Sequence, residues 1–268
     1  MQEFAYINAE ILPIEKAKIL ITDLAILRGY GVFDFFRAIE GKPIYMEDHL
    51  DRFENSVKRM NLEIPFSRDH IREHILDLIN LNPYPLLGIK LLCTGGYSED
   101  GYAPTRPNLM MLAKPFKMQP LDKEIKLMTV RHIRELADIK TINYITPISL
   151  IPQLKATGSD DVLYHFSGQI SESSRANIFI VKGEKIITPK ANILRGITRM
   201  QILNLAKNNF EVEVRNVKLK EVFDADEAFL SGSTRRVTFV KHIDNHAFQS
   251  RKVTDKINTL LMQNERDV

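Results

Sequence analysis

Two short stretches in the second half of the chain carry residues suited to binding a small anion. Gly196-Ile197-Thr198-Arg199 places a hydroxyl where a helix is predicted to begin, and Ser231-Gly232-Ser233-Thr234 follows a strand-like run. Free backbone N–H groups, the helix dipole and hydroxyl donors at such positions can hold a phosphate. Either stretch alone is more often a capping or turn sequence. Their joint presence favours a phosphate held from two sides.

Other patterns that could carry chemistry fail on their context. Gly29-Tyr30-Gly31 begins like a dinucleotide-binding fingerprint, but Asp34 stands where the third glycine belongs and strand signal follows. His242 and His246 are separated by turn residues instead of a helix, so no metal site is predicted. Cys93 lies in an apolar run and is expected to be a buried, inert thiol.

The composition is that of an ordinary globular protein. The 268 residues are 44% hydrophobic and 26% charged, with a net charge of +3 and a single cysteine. These values exclude disordered, collagen-like and disulfide-stapled chains, and the scattered basic residues argue against a nucleic-acid partner. The first four residues, MQEF, do not have the basic and apolar character that is expected of a secretory leader, and no apolar run approaches the roughly 18 residues of a membrane span. A soluble, cytoplasmic protein with no membrane partner is predicted.

The elements that would position the anion motifs fall into two groups. Lys114–Lys123 contains two prolines and three lysines without periodicity, and it separates the groups. Strict βαβ alternation is missing, which argues against a doubly wound fold. We therefore predict an α+β fold of two lobes. The predicted division is a smaller N-terminal lobe over residues 1–115, a linker over 116–122 and a larger C-terminal lobe over 123–268.

Apolar spacing and turn residues give the predicted elements of each lobe. The loop over residues 94–102, rich in glycine and tyrosine, suits the rim of a binding site. In the first lobe we predict strands over 32–39, 86–93 and 109–112, a helix over 47–60, and a helix that begins at an N-cap, Ser67. In the second lobe we predict strands over 125–130, 161–166, 176–181, 185–188, 212–217, 227–230 and 237–241, and helices over 147–157, 197–208 and 253–265.

Six segments form a further pattern, in order and spread over most of the chain. They are RGYGVFDFFR (Arg28–Arg37), HLDR (His49–Arg52), DIKTINY (Asp138–Tyr144), ISESSRANIFIV (Ile170–Val181), LRGITR (Leu194–Arg199) and LSGSTRRV (Leu230–Val237). Together they resemble the class IV, fold-type IV pyridoxal-phosphate enzymes. That family includes branched-chain aminotransferases, D-amino acid aminotransferases and aminodeoxychorismate lyase. No single segment is decisive, but six in register are hard to obtain by chance.

The resemblance implies a role for each of several residues around a bound pyridoxal 5'-phosphate. Lys140 matches the lysine that forms the Schiff base, whose amine also moves the proton during transfer. Glu172 matches the carboxylate that keeps the pyridine nitrogen protonated, so that the ring draws electrons from the substrate. Tyr144 would donate to the phenolic oxygen, although it stands one residue closer to the lysine than in branched-chain enzymes. The phosphate would be held by Arg52, Ile197, Thr198, Ser233 and Thr234.

The resemblance is weakest where the substrate would bind. Glu99-Asp100-Gly101 stands where D-amino acid aminotransferases carry an Arg-x-His trap, which argues against the D-specific enzyme. The Tyr-x-Arg-Pro strand of branched-chain enzymes is not evident either, and Thr105-Arg106-Pro107 matches it only in part. Phe33 is expected on the pocket wall. The candidates for binding the substrate carboxylate are Arg28, Tyr97, Arg175 and Arg235.

The resemblance implies an aminotransferase that exchanges an amino group between an amino acid and a 2-oxo acid, with Lys140 as the anchor. It also implies a homodimer. Two alternatives stay open on the sequence. One is 4-amino-4-deoxychorismate lyase, which eliminates pyruvate on the same scaffold. The other is a non-catalytic anion-binding protein, against which the intact Lys140 and Glu172 argue.

Overall fold

The computed structural model describes residues 2–267, which form two compact units. The first unit contains residues 2–117 and 139–143, and the second contains residues 118–138 and 144–267. The predicted C-terminal lobe, 123–268, included residues 139–143, but the structure assigns this short segment to the first unit. The reason is local pairing, because Val32 and Thr141 form an antiparallel bridge.

The first unit is built on a six-stranded antiparallel sheet. Its central strands pair over long registers, from Gly31 opposite Thr94 to Ile39 opposite Leu86. The strands are β1 (Phe4–Ile7), β2 (Glu10–Pro13), β3 (Gly31–Ile39), β4 (Lys42–Pro43), β5 (Leu86–Thr94) and β6 (Leu109–Pro115). Their order across the sheet is β2-β1-β6-β5-β3-β4.

The described residues of this unit form three α-helices, α1 (Leu24–Arg28), α2 (Met46–Arg59) and α3 (Arg68–Leu81), and a short 3-10 helix over Ile14–Lys16. The sequence predicted α2 and α3 from apolar residues at helical spacing, and both are confirmed. Ser67 accepts a hydrogen bond from the His70 N–H at 3.2 Å, so the predicted N-cap is also confirmed. Leu50 and Phe53 are fully buried in the unit's apolar cluster. Cys93 lies in the same cluster, where burial raises the pKa of its thiol to about 12.

The second unit is built on a ten-stranded mixed sheet. The strands are β7 (Glu124–Arg131), β8 (Asp161–Phe166), β9 (Gln169–Ile170), β10 (Asn177–Lys182), β11 (Lys185–Pro189), β12 (Glu211–Arg215), β13 (Val217–Lys218), β14 (Glu227–Gly232), β15 (Arg236–Ile243) and β16 (His246–Ala247). Their order across the sheet is β12-β11-β10-β14-β15-β7-β8-β9-β13, with β16 paired to β15. The pairs β15–β7 and β7–β8 are parallel, so these three strands begin at the same end of the sheet.

The helices of the second unit are α4 (Ile145–Ser149), α5 (Ile151–Thr157), α6 (Ile197–Ala206), α7 (Leu219–Phe223) and α8 (Lys252–Arg266). Helices α6 and α8 cover one face of the sheet, where Phe179 and Phe229 stack at 4.8 Å. The buried carboxylate of Glu227 accepts from the Val253 and Thr254 N–H groups at the start of α8. This contact fixes the helix to β14. Among residues 2–267, no helix is long and apolar enough to cross a membrane.

Candidate active site

Lys140 lies in a short extended segment that docks on β3. The Phe33 N–H donates to the Lys140 carbonyl at 2.9 Å, and the Ile142 N–H donates to the Gly31 carbonyl at 3.1 Å. Lys140 Nζ lies 4.5 Å from the centroid of the Phe33 ring, within the range of a cation–π contact. A Cβ at position 31 would lie 2.8 Å from the Cys93 carbonyl oxygen on β5 and 3.1 Å from Ile142 Cδ1, so glycine lets both β5 and the Lys140 segment approach β3 closely. The segment therefore has a fixed backbone.

Arg52 is placed on α2 beside a buried carboxylate. It donates from Nε and Nη2 to the two oxygens of Asp34, both at 2.8 Å. His49 Nδ1 lies 2.7 Å from the same carboxylate. Burial alone would raise the pKa of Asp34, but the Arg52 guanidinium and His49 outweigh burial and hold that pKa well below its usual range. For His49, burial outweighs the carboxylate and lowers the pKa.

The other predicted residues of the first unit lie around a loop that a buried aspartate holds. Asp23 accepts from the Ala25 N–H at 2.7 Å, and its other oxygen accepts from the Thr94 hydroxyl and the Asn108 amide. Tyr97 forms a bridge with Asp23 in this loop, whereas Arg28 is exposed at the end of α1.

Glu172 belongs to the second unit, where it is 4% exposed between β9 and β10. Arg134 Nε donates to its Oε1 at 3.0 Å, and the Leu194 N–H donates to its Oε2 at 2.8 Å. Arg134 also donates to the Ala137 carbonyl. A carboxylate fixed in this way by a guanidinium and a backbone amide has a defined orientation. Tyr144, at the start of α4, belongs to the same unit and is half-buried.

Asn177 connects Glu172 to both predicted anion motifs. It forms a bridge with Glu172, donates from Nδ2 to the Leu194 carbonyl at 2.8 Å, and stands opposite Ser231 in the β10–β14 register. A Cβ on residue 196 would lie 2.2 Å from the Asn177 amide oxygen. Only glycine therefore fits where α6 approaches Asn177.

The start of α6 and the end of β14 offer donors with no acceptor in the described chain. Gly196 is the N-cap of α6 and supplies no side-chain oxygen, so the amides of Ile197 and Thr198 point out of the helix without a capping partner. The Ser231 side chain is 1% exposed, and its hydroxyl has no hydrogen-bond partner among residues 2–267. Ser233 is half-buried and Thr234 exposed in the following turn.

Comparison with known proteins identifies the scaffold. The sequence profile of the class IV aminotransferases matches residues 31–243, which is most of the chain. This chain belongs to the class IV aminotransferase family. It is an enzyme that uses pyridoxal phosphate to exchange amino groups between amino acids and 2-oxo acids.

The similarity extends over the full length of several family members. A protein assigned as a branched-chain-amino-acid aminotransferase in Methanocaldococcus jannaschii is 29% identical over 98% of this chain and 95% of its own. A D-alanine aminotransferase of Staphylococcus haemolyticus is 26% identical over 92% of each chain. The crystal structure of a T.th. branched-chain amino acid aminotransferase with pyridoxamine 5'-phosphate has a TM-score of 0.91 at 25% identity, over 99% of this chain and 94% of that one.

The predicted fold-type IV architecture is confirmed by this likeness, and the second unit of this class IV aminotransferase fits the cofactor's phosphate. The uncapped first turn of α6, the orphaned Ser231 hydroxyl and the glycine required at position 196 form a polar cradle that donates hydrogen bonds. The donor set matches a phosphate dianion, which accepts several hydrogen bonds at once.

The sequence interpretation missed the residues that fix the predicted ones. Arg134 lies in none of the six segments, and Asp34 lies in RGYGVFDFFR without a role assigned to it, yet they hold Glu172 and Arg52. His49 was part of the quoted HLDR segment, so these two segments contained the available signal for the cluster of Asp34, His49 and Arg52. Asn177 was noted beside Glu172, but its contacts to Leu194 and Ser231 become visible only in the fold.

Proposed function

We propose that Lys140 is the lysine that bonds covalently to the cofactor and moves the proton in each half-reaction. The observation that carries the assignment is the fixed backbone of residues 139–143, which presents the Lys140 amine over the Phe33 ring. Pyridoxal phosphate supplies an electrophilic aldehyde and a pyridine ring that draws electrons from the substrate. Lys140 Nζ would take the proton from the substrate α-carbon and deliver it to the C4′ carbon of the cofactor.

We assign the remaining contacts to residues whose donors and acceptors suit them. The Glu172 carboxylate, oriented by Arg134, would hold a proton on the pyridine nitrogen. Tyr144 would donate to the phenolic oxygen. Donors for the phosphate would come from Arg52, Ile197, Thr198, Ser231, Ser233 and Thr234.

Borohydride reduction of the holoenzyme followed by peptide mapping tests the central assignment. Reduction makes the bond between lysine and cofactor permanent, and we expect the label on Lys140 alone. Lys90 is the matched internal control, because its amine lies 5.7 Å from the centroid of the same Phe33 ring. A label on Lys90, or on no lysine, would contradict the proposal. Lys140→Ala should abolish turnover with the circular dichroism spectrum unchanged.

A second assay separates transfer from elimination. We expect purified enzyme to convert 2-oxoglutarate to glutamate at the expense of an amino acid donor. Aminodeoxychorismate should release no pyruvate in the absence of a 2-oxo acid. Pyruvate release without an acceptor would instead favour the lyase. Failure of both reactions, together with no cofactor absorbance after addition of pyridoxal phosphate, would favour a non-catalytic protein.

We also propose that the enzyme is a homodimer. Each unit exposes large apolar side chains that a second copy would cover, including Ile21 at 79% and Ile145 at 75% exposure. Light scattering coupled to size-exclusion chromatography should give twice the chain mass of 30.9 kDa. A mass of one chain at micromolar concentration would contradict this proposal.

A further inference from the structure

Arg235 is a buried cation with unused hydrogen-bonding capacity. It lies in the turn between β14 and β15, where its backbone N–H donates to the Gly232 carbonyl at 3.0 Å. The residue is 6% exposed, and its buried Nε has no hydrogen-bond partner among residues 2–267. Desolvating a guanidinium is costly unless its donors are satisfied. The site therefore lacks an acceptor.

The nearest anion, Asp161 at the start of β8, does not supply that acceptor. Arg235 Nη2 lies 3.8 Å from Asp161 Oδ2, beyond hydrogen-bonding distance. The other oxygen of Asp161 accepts from the Ser174 hydroxyl at 2.5 Å and from the Val162 N–H at 2.8 Å. Oδ2 itself is buried without a hydrogen-bond partner in the described chain. The pair attract each other, but each keeps an unused hydrogen-bonding position.

The position of Arg235 relates it to the groups assigned to the cofactor. It follows Ser233 and Thr234 in the chain, and the turn after Glu172 passes close by. A Cβ on Gly232 would lie 3.5 Å from the Arg175 carbonyl oxygen and 3.9 Å from Arg235 Cγ. Arg235 thus lies in the same turn as the hydroxyls assigned to the phosphate, and Gly232 of that turn lies close to the segment that follows Glu172.

The ligand that best suits this guanidinium is a carboxylate. The amides of α6 and the neighbouring hydroxyls already provide donors for the phosphate, whereas the charged groups that act on Arg235 are Asp161, Arg175 and Asp160. A planar guanidinium matches a planar carboxylate with two parallel hydrogen bonds. Amino acid donors and 2-oxo acid acceptors share one such group, the α-carboxylate.

We propose that Arg235 binds the α-carboxylate of both substrates and that Asp161 is a positioning residue that holds the guanidinium toward it. The proposal rests on the aminotransferase site described above, and it names the residue that selects amino acids over simple amines. Asp161 orients the cation without consuming its donors, because the two groups are too far apart to hydrogen-bond.

The test compares Arg235→Gln and Arg235→Lys with Arg266→Gln, an exposed arginine at the end of α8. We expect Arg235→Gln to raise KM for the amino acid and for the 2-oxo acid by a similar factor, about 10- to 100-fold, because each substrate loses a charge-assisted bond. The KM values of Arg235→Lys should lie between those of wild type and Arg235→Gln, because lysine keeps the positive charge but cannot form two parallel hydrogen bonds. Arg266→Gln should match wild type.

A binding measurement independent of turnover accompanies the kinetics. The holoenzyme is titrated calorimetrically with 4-methylvaleric acid, a carboxylate with no amino group. For each variant, the loss of affinity for this acid should match the increase in its KM. Asp161→Asn should raise KM several-fold with little change in kcat. Cofactor absorbance per chain should stay at the wild-type value in all variants.

Three outcomes would overturn the assignment. Unchanged carboxylate affinity in Arg235→Lys and Arg235→Gln would exclude Arg235 as the anchor, and the lysine variant decides alone if the glutamine variant does not fold. A KM increase confined to dicarboxylic substrates would place Arg235 at a side-chain carboxylate instead. Loss of cofactor with unchanged carboxylate affinity would make it a phosphate contact. Failure of the proposed function would appear separately, as borohydride labelling elsewhere than Lys140.

Discussion

The guanidinium of Arg52 clasps the carboxylate of Asp34 through two hydrogen bonds of 2.8 Å, with Asp34 fully buried and Arg52 10% exposed. The arginine assigned to the cofactor phosphate is thus already oriented by a counter-ion of its own unit. Such a pair stabilises little against an apolar replacement but is costly to break from one side.

Asp34→Asn should therefore destabilise the protein strongly. We expect the free energy of unfolding to fall by about 3 kcal/mol, because Arg52 is left as a buried charge without its anion. The matched control is Glu47→Gln, which removes a half-exposed carboxylate from Arg68 and Arg72 and should cost less than about 1 kcal/mol. Urea titration of the two variants measures both. Equal decreases in the free energy of unfolding would show that breaking the buried Asp34 pair costs no more than breaking the exposed Glu47 pairs.

The same pair has a definite pH dependence. Because the pKa of Asp34 is lowered in the folded state, its contribution is complete above the ordinary carboxyl pKa of about 4 and is lost as the pH falls below it. Below a pH of about 4, the wild-type protein should lose the part of its free energy of unfolding that comes from the ionised Asp34. Asp34→Asn should show no such loss, because it has no carboxylate at this position. The stability difference between the two proteins should narrow accordingly.

Replacing Glu172 with Gln tests the carboxylate assigned to the pyridine nitrogen. Glutamine can still accept from the Leu194 N–H, so the local backbone should be kept, but no anion remains to hold a proton on the ring. We expect kcat to fall on the order of 100-fold with cofactor still bound. Stopped-flow kinetics and the cofactor absorbance of the purified variant measure the two quantities. An unchanged kcat would remove Glu172 from the reaction.

Arg134→Gln is the companion variant, because Arg134 donates to the carboxylate of Glu172 and would affect the reaction through it. It should lower kcat less than Glu172→Gln does, and the double variant should be no worse than Glu172→Gln alone. Additive losses would mean that Arg134 has a role of its own.

Local sequence signals accounted for most of the elements, and tertiary constraints account for the exceptions. The apolar stripe of α2 and the cap at Ser67 are local features, so they were predictable. The predicted helix over 147–157 is instead two helices that meet at Leu150, and Pro152, which has no N–H to donate, lies in the first turn of α5. Strands β1 and β2 are four residues each and were missed, because so short a pattern carries little periodicity.

The candidate site was predictable where a motif names a residue type and unpredictable where a partner lies far along the chain. The lysine, glutamate and glycine–threonine segments could be read from a resemblance to a family. The partners of Glu172 and Arg235, which are Arg134 and Asp161, depend on which strands become neighbours. The number of residues between two such partners does not predict how close their side chains lie, so these pairs become visible only in the fold.

Gly196→Ala should disturb the cradle without unfolding the chain. A Cβ there would meet the Asn177 amide oxygen at 2.2 Å, so Asn177 must move and its bond to the Leu194 carbonyl must weaken. We expect the dissociation constant for pyridoxal phosphate to rise at least about 10-fold, the loss of roughly one hydrogen bond. Gly183→Ala is the control, since a Cβ at that exposed turn meets nothing within 4 Å, although its positive φ adds some backbone strain. Equal cofactor affinity in both variants would argue against the cradle.

Ser231→Ala tests whether the unpaired Ser231 hydroxyl donates to the cofactor phosphate or has no ligand at all. A buried hydroxyl with no partner costs free energy, so its removal should stabilise the protein without cofactor slightly. If the hydroxyl donates to the phosphate, the same change should weaken binding of pyridoxal phosphate about 10-fold while leaving binding of pyridoxal, which has no phosphate, unchanged. Fluorescence titration with both compounds, and thermal unfolding without either, measure these effects. Equal losses for the two compounds would place Ser231 outside the phosphate site, and a destabilised cofactor-free protein would show that the hydroxyl has a structural partner.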